Sequence, residues 1–123
     1  MTIAALKMMS LDSSDAGRDA RFWARVLGWD VAHEGDGYAM LAGPDGVALG
    51  FGTVPDYEAP QWPNPRGTKQ FHLDLAVDDL DAGTAACVEA GATLADDQPG
   101  ETWRVLLDPS GHPFCLTLAA NWP

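Results

Sequence analysis

The chain has 123 residues, 46% of them hydrophobic, which is enough for one ordinary domain with a core that needs no disulfide staples. Eighteen acidic residues against 7 basic ones leave a net charge of −11. That charge repels phosphate backbones and anionic lipid, so nucleic acid and membrane surfaces are excluded as partners. No segment approaches the ~18 apolar residues of a membrane span, and the opening MTIAALKMMSLDSSD lacks a basic stretch followed by a long apolar one. Cys87 and Cys115 lie inside periodic apolar segments, as free thiols of a reducing compartment do. A soluble, cytoplasmic protein is expected.

In chain order, an alternating strand is predicted over Ala4 to Leu11, followed by a helix with an Asp near its start and Gly28 at its end. Phe22 with Val26, and Trp23 with Leu27, recur at helical spacing. Three short strands follow, divided by the turn formers EGDG and GPDG. The proline-rich VPDYEAPQWPNPRGTK then reads as a linker. Its Trp62 is either a ligand wall or an aromatic packed on the body. A second strand–helix–three-strand series begins at Gln70 to Val77, has Gly91 at the end of its helix, and carries DQPG and DPSG as turns.

The two series are copies of one unit. Asp12, Asp15, Ala16 and Gly17 reappear as Asp78, Asp81, Ala82 and Gly83, and AGPDG reappears as LDPSG. The expected organisation is a βαβββ module over residues 1–53, a linker over 54–69 and a second βαβββ module over 70–123. The fold class is α+β, with curved mixed sheets around a cleft.

Strand alternation sorts the faces. In QFHLDLAV, residues Phe71, Leu73, Leu75 and Val77 form the face expected under the helix, leaving Gln70, His72, Asp74 and Ala76 for an open cleft. In DPSGHPFCL, His112 starts the last strand beside Phe114, whereas Cys115 lies on the other side with Pro113 and Thr117. His112 and Cys115 therefore cannot form a dyad, and Cys115 falls on the cleft side.

HLDLAVDDLDAG, EAGA and DPSGHPFCL, together with FWARVLGW and AGPDG in the first half, resemble the glyoxalase/bleomycin-resistance/dioxygenase family, or vicinal oxygen chelate superfamily, in its small glyoxalase-like subgroup. The resemblance spans essentially the whole chain and implies paired βαβββ modules, commonly as a homodimer. In metal-dependent members, the first and last strand of each module supply ligands. Carried onto this chain, those positions fall on His72, Cys115, Leu6 and Gly50, and the last two cannot hold a metal.

The reading is accordingly a metal-free, small-molecule binding protein without a cofactor. Its ligand, of aromatic character, would meet His72, Asp74, Cys115 and Met8, with Trp62, Trp103 and Arg104 as walls. Trp103 and Arg104 point to opposite faces, so only one can enter the cleft; Arg104 would suit a carboxylate or phenolate. A metal-dependent lyase, isomerase or dioxygenase is the alternative, with Asp74 as the added ligand. A structural or regulatory module without a ligand is the third reading.

Overall fold

The computed structural model describes residues 2–123, and its elements follow the expected order twice. In the first unit these are β1 (Met8–Ser13), α1 (Ala16–Leu27), β2 (Asp30–Gly35), β3 (Tyr38–Ala42) and β4 (Ala48–Thr53). In the second they are β5 (Leu73–Val77), α2 (Leu80–Ala90), β6 (Thr93–Leu94), β7 (Trp103–Leu107) and β8 (Pro113–Leu118). Each unit forms an open four-stranded sheet, ordered β1-β4-β3-β2 and β5-β8-β7-β6. The outer pairs β1–β4 and β5–β8 are parallel and the rest antiparallel. Internal contacts divide the chain after Glu58, within the proline-rich stretch.

Both helices begin and end as their sequences dictate. The Asp15 side chain accepts from the Arg18 amide at 3.1 Å and the Asp79 side chain from the Ala82 amide at 2.9 Å. These bonds satisfy amides that have no partner within the helix. The repeat alignment matches Asp15 with Asp81, but the structure gives the second cap to Asp79 and places Asp81 in the first helical turn. Gly28 closes α1 at φ 70, a left-handed conformation that costs glycine nothing.

In the first unit, Ala16, Ala20, Phe22 and Trp23 of α1 bury against Ala39, Leu41, Leu49 and Phe51 of the sheet. The Phe22 and Trp23 rings meet edge to face at 5.1 Å. In the second, Cys87 of α2 joins Ala92, Ala95, Val105, Leu106, Phe114 and Leu116 in the core. Close packing of α2 on β5 requires Gly83, since a Cβ there would lie 2.9 Å from Val77 Cγ1.

Several expected boundaries shift. The first strand starts at Met8, where pairing with Ala48 begins, not at Ala4. The fifth starts at Leu73, because Gln70 sits at φ 49 and the Phe71 amide turns back to the Lys69 carbonyl. Phe71 is consequently 89% exposed and forms no part of the helix-covered face. His112 closes the DPSG turn, its carbonyl accepting from the Asp108 amide and its own amide donating to the Asp108 carboxylate, and β8 begins one residue later.

Asp19 is a carboxylate with 1% of its surface exposed, at the start of α1. It accepts from the Ser13 hydroxyl and from Arg18 Nε and Nη2 at 3.1 and 3.0 Å. Removing it takes a carboxylate acceptor from the buried Ser13 hydroxyl and from the Arg18 guanidinium. Asp19→Ala is expected to destabilise the protein by about 2 kcal/mol, read as a lower urea midpoint at unchanged slope.

Candidate functional site

The second unit carries a hollow of about 330 Å³ lined by His72, Asp74, Thr102, Trp103, Cys115, Thr117, Asn121 and Trp122. Strand register explains its floor. Asp74 lies directly opposite Cys115 in the parallel β5–β8 pair, and in the antiparallel β7–β8 pair Trp103 lies opposite Thr117. Opposed residues share a face, so these four side chains converge on one side of the sheet. Phe114, Leu116 and Leu106 take the other side and are buried there. His72, two residues before Asp74, falls on the open side by the same alternation.

The floor is a hydrogen-bonded cluster. His72 Nε2 and Asp74 Oδ1 are 3.1 Å apart, and one ligating atom from each of His72, Asp74 and Cys115 lies within 4.8 Å of the others. Burial pushes the Cys115 thiol up from its ordinary value; the Asp74 carboxylate pushes it further, by charge and as a hydrogen-bond partner, while Lys69 pulls it partly back. At neutral pH Cys115 is a thiol, and it has the character of a donor to Asp74 more than of a nucleophile.

The walls are two indoles, each held by a specific local feature. The Trp103 ring lies flat against Gly100, where a Cβ would come within 2.3 Å of the ring. Trp122 follows a single 3-10 turn, Ala119–Asn121, and its indole N–H donates to Thr117 Oγ1 at 2.6 Å. Thr117 in turn donates to the Leu75 carbonyl at 2.9 Å, which ties the wall to the sheet.

The structure thus brings together His72, Asp74, Cys115 and Trp103 of the residues singled out in the sequence. Arg104 faces the opposite way, opposite Leu116, with its guanidinium on the Glu101 and Trp103 carbonyls and 3.7 Å from Asp81 of α2. Trp62 packs on the body of the second unit, donating to the Asp97 carbonyl at 2.9 Å with Lys69 Nζ over its ring. Met8 lines a hollow of about 270 Å³ on the first unit's own sheet, with Ser10, Tyr38, Met40 and Gly50. Asn121 and Trp122 carry no sequence signal beyond an aromatic after the last strand.

The register also corrects the pairing of positions between modules. Ser10 lies opposite Gly50 as Asp74 lies opposite Cys115, so the counterpart of His72 is Met8, not Leu6. Met8 and Ser10 offer a thioether and a hydroxyl, poor ligands for a hard divalent ion. Within the second unit, however, imidazole, carboxylate and thiol are spaced closely enough to share one ion. As a three-ligand set with a free position, they suit zinc or iron better than magnesium or calcium.

The state of the Cys115 thiol can be read chemically. At pH 8, Asp74→Asn removes a charge that disfavours the thiolate, so iodoacetamide should modify Cys115 faster than in the wild type. Lys69→Gln removes the opposing influence and should slow the reaction. Peptide mass spectrometry separates this signal from that of buried Cys87.

Comparison with known proteins agrees with this architecture. The glyoxalase-like domain family matches residues 8–117. A search of curated protein sequences gives no match. Among solved structures, a glyoxalase/bleomycin resistance protein/dioxygenase family enzyme from Burkholderia phytofirmans PsJN aligns at TM-score 0.70 and 18% identity, covering 94% of this chain and 98% of its own. The oxidase ChaP-H2 aligns at TM-score 0.67 and 25% identity, covering 95% and 94%. The fosfomycin resistance protein FosX from Mesorhizobium loti aligns at TM-score 0.67 and 14% identity, covering 97% and 94%. With two βαβββ units in tandem and a family match over nearly its whole length, this chain belongs to the glyoxalase-like domain family.

Proposed function

We propose that the chain is a small-molecule binding protein whose ligand occupies the hollow over His72, Asp74 and Cys115 and acts without a bound metal. The observation that carries this reading is the pair of indoles, Trp103 and Trp122, lining a concavity with a polar floor. Mostly apolar walls with a few convergent polar groups are the usual build of a ligand site, and anchored indoles bring large contact area with little entropy to lose. The first strand unit adds no hard metal ligand at the equivalent positions, which favours a metal-free site.

The spacing of His72, Asp74 and Cys115 favours a second reading, in which those three residues hold a divalent ion such as zinc. Such an ion would supply Lewis acidity towards an oxygen-bearing substrate. Zinc titration of chelator-treated protein separates the two. The metal-free reading expects no stoichiometric binding at micromolar zinc, whereas the metal reading expects one ion per chain, lost in His72→Ala and in Cys115→Ser.

We also propose that the protein is a cytoplasmic homodimer. The outer strand β2 is exposed at all six residues and leaves an unpaired edge for a second copy, and both cysteines are free. Sedimentation at tens of micromolar should give twice the chain mass. Among the described residues, no helix is long and apolar enough to cross a membrane.

The binding reading is tested on chelator-treated protein by a thermal-shift screen of aromatic small molecules, since a ligand of the folded state raises Tm. A hit should lose about tenfold in affinity in Trp103→Ala, the scale on which aromatic anchors act. Gly100→Ala should weaken the same ligand by displacing the Trp103 ring. A broad panel in which no compound raises Tm would overturn the proposal.

A further inference from the structure

The chemistry of the hollow selects among ligands by charge. None of the described residues that line it is Lys or Arg, and its one acidic side chain is Asp74. Arg104, the obvious partner for an acid, is turned to the helix side, within reach of Asp81. Lys69 lies outside the lining, over the Trp62 ring at 5.3 Å, and its charge is felt at Cys115 only as a partial offset to burial and Asp74. Asp74 is 41% exposed, and an ionised carboxylate has about four lone-pair sites, so contact with His72 leaves acceptor capacity facing the opening.

The indoles act in the same sense. An aromatic face carries negative quadrupole charge, attracts cations and gives nothing to an anion. Trp103 and Trp122 are 36% and 51% exposed, so both keep surface to offer a ligand. The Trp122 N–H, which could have donated to an anion, is already committed to Thr117. Around this site the whole chain carries −11, a field that raises the local concentration of cations and lowers that of anions.

We infer that the hollow takes an organic cation with an apolar or aromatic body, its positive group on Asp74 and its body against Trp103 and Trp122. This rests on the proposed binding role and specifies the class of ligand. A protonated amine or a quaternary ammonium satisfies the recognition equally, the first by donating to the carboxylate and the second by charge and contact alone.

The test uses the full chain, stripped of metal, with benzyltrimethylammonium, benzylammonium, benzoate and neutral indole as probes, titrated by calorimetry in 20 mM salt. At least one of the two cations should bind about tenfold or more tightly than benzoate. Asp74→Asn should remove most of that preference, and 0.5 M salt should weaken it. Asp96→Asn, an exposed acid outside the hollow, should leave it unchanged, which distinguishes local recognition from the general field. Trp122→Phe should weaken the cation while the protein keeps its wild-type Tm. If indole or benzoate binds as well as or better than both cations, or if Asp74→Asn and Asp96→Asn behave alike, the charge inference is wrong and the binding role stands. If no probe binds and a wider aromatic panel also fails, the binding role itself falls.

Discussion

The parallel pairing of β5 with β8 in one register, Asp74 opposite Cys115, is the constraint on which the rest of the site depends. Strand side chains alternate with a period of two, so a slip by one residue would send Leu73 and Leu75 into the hollow and Asp74 under the helix. The slip is prevented by burial on the other side of the sheet, where Phe114 and Leu116 of β8 and Leu106 of β7 are almost completely enclosed. Burying a side chain of this kind is worth about 1.5–3 kcal/mol, more than the polar contacts on the open face could recover by moving. The core thus fixes the site: apolar packing on one face positions the polar groups on the other.

The same register spreads through the neighbouring strand. Val105 opposite Cys115 and Trp103 opposite Thr117 put an indole on the open face and send Arg104 to the helix side. The outer edge of β7 would lack partners beyond the two-residue strand β6, and Gln98 supplies them. Its side-chain amide accepts from the Val105 N–H at 2.9 Å and donates to the Val105 carbonyl at 2.8 Å, replacing a strand by a side chain. That substitution frees residues 99–102 to leave the sheet and bring Gly100 under the Trp103 ring. Completion of the ladder by a side chain is therefore linked to the shape of the wall.

Local rules made much of this legible in the sequence. Both helices, the turns at EGDG, GPDG and DPSG, the doubling of the unit, and the placing of His72, Asp74 and Cys115 on one side follow from caps, glycines and alternation, whereas DQPG, expected as a turn, lies in the irregular connection from β6 to β7. What was not legible needs a partner strand to decide it. QFHLDLAV alternates from its first residue, so the pattern alone cannot show that Gln70 leaves the extended region and that Phe71 is exposed. VDDLD offers three aspartates as helix caps, and only the chain path selects Asp79. Alternation states that Trp103 and Arg104 diverge, but the direction of each depends on what lies opposite in β8. The contact of Trp103 with Gly100, and the bond from Trp122 to Thr117, depend on packing that no spacing in the sequence records.

The two copies of the unit show how the chemistry came to lie in one of them. At matching positions the second unit has imidazole, carboxylate and thiol, while the first has the Met8 thioether, the Ser10 hydroxyl and Gly50. Gly50 is no accident of drift in size: a Cβ there would lie 3.0 Å from Ser10 Oγ and 3.1 Å from Met8 Sδ, so the long Met8 side chain already fills the volume that a larger residue would use. A methionine packed over a glycine makes an adaptable apolar patch, although Asp12 also lines that hollow. The hollow of the second unit is lined by one carboxylate, Asp74, and two indoles, Trp103 and Trp122. The same backbone ladder therefore carries a thioether, a hydroxyl and a glycine in one copy and an imidazole, a carboxylate and a thiol in the other.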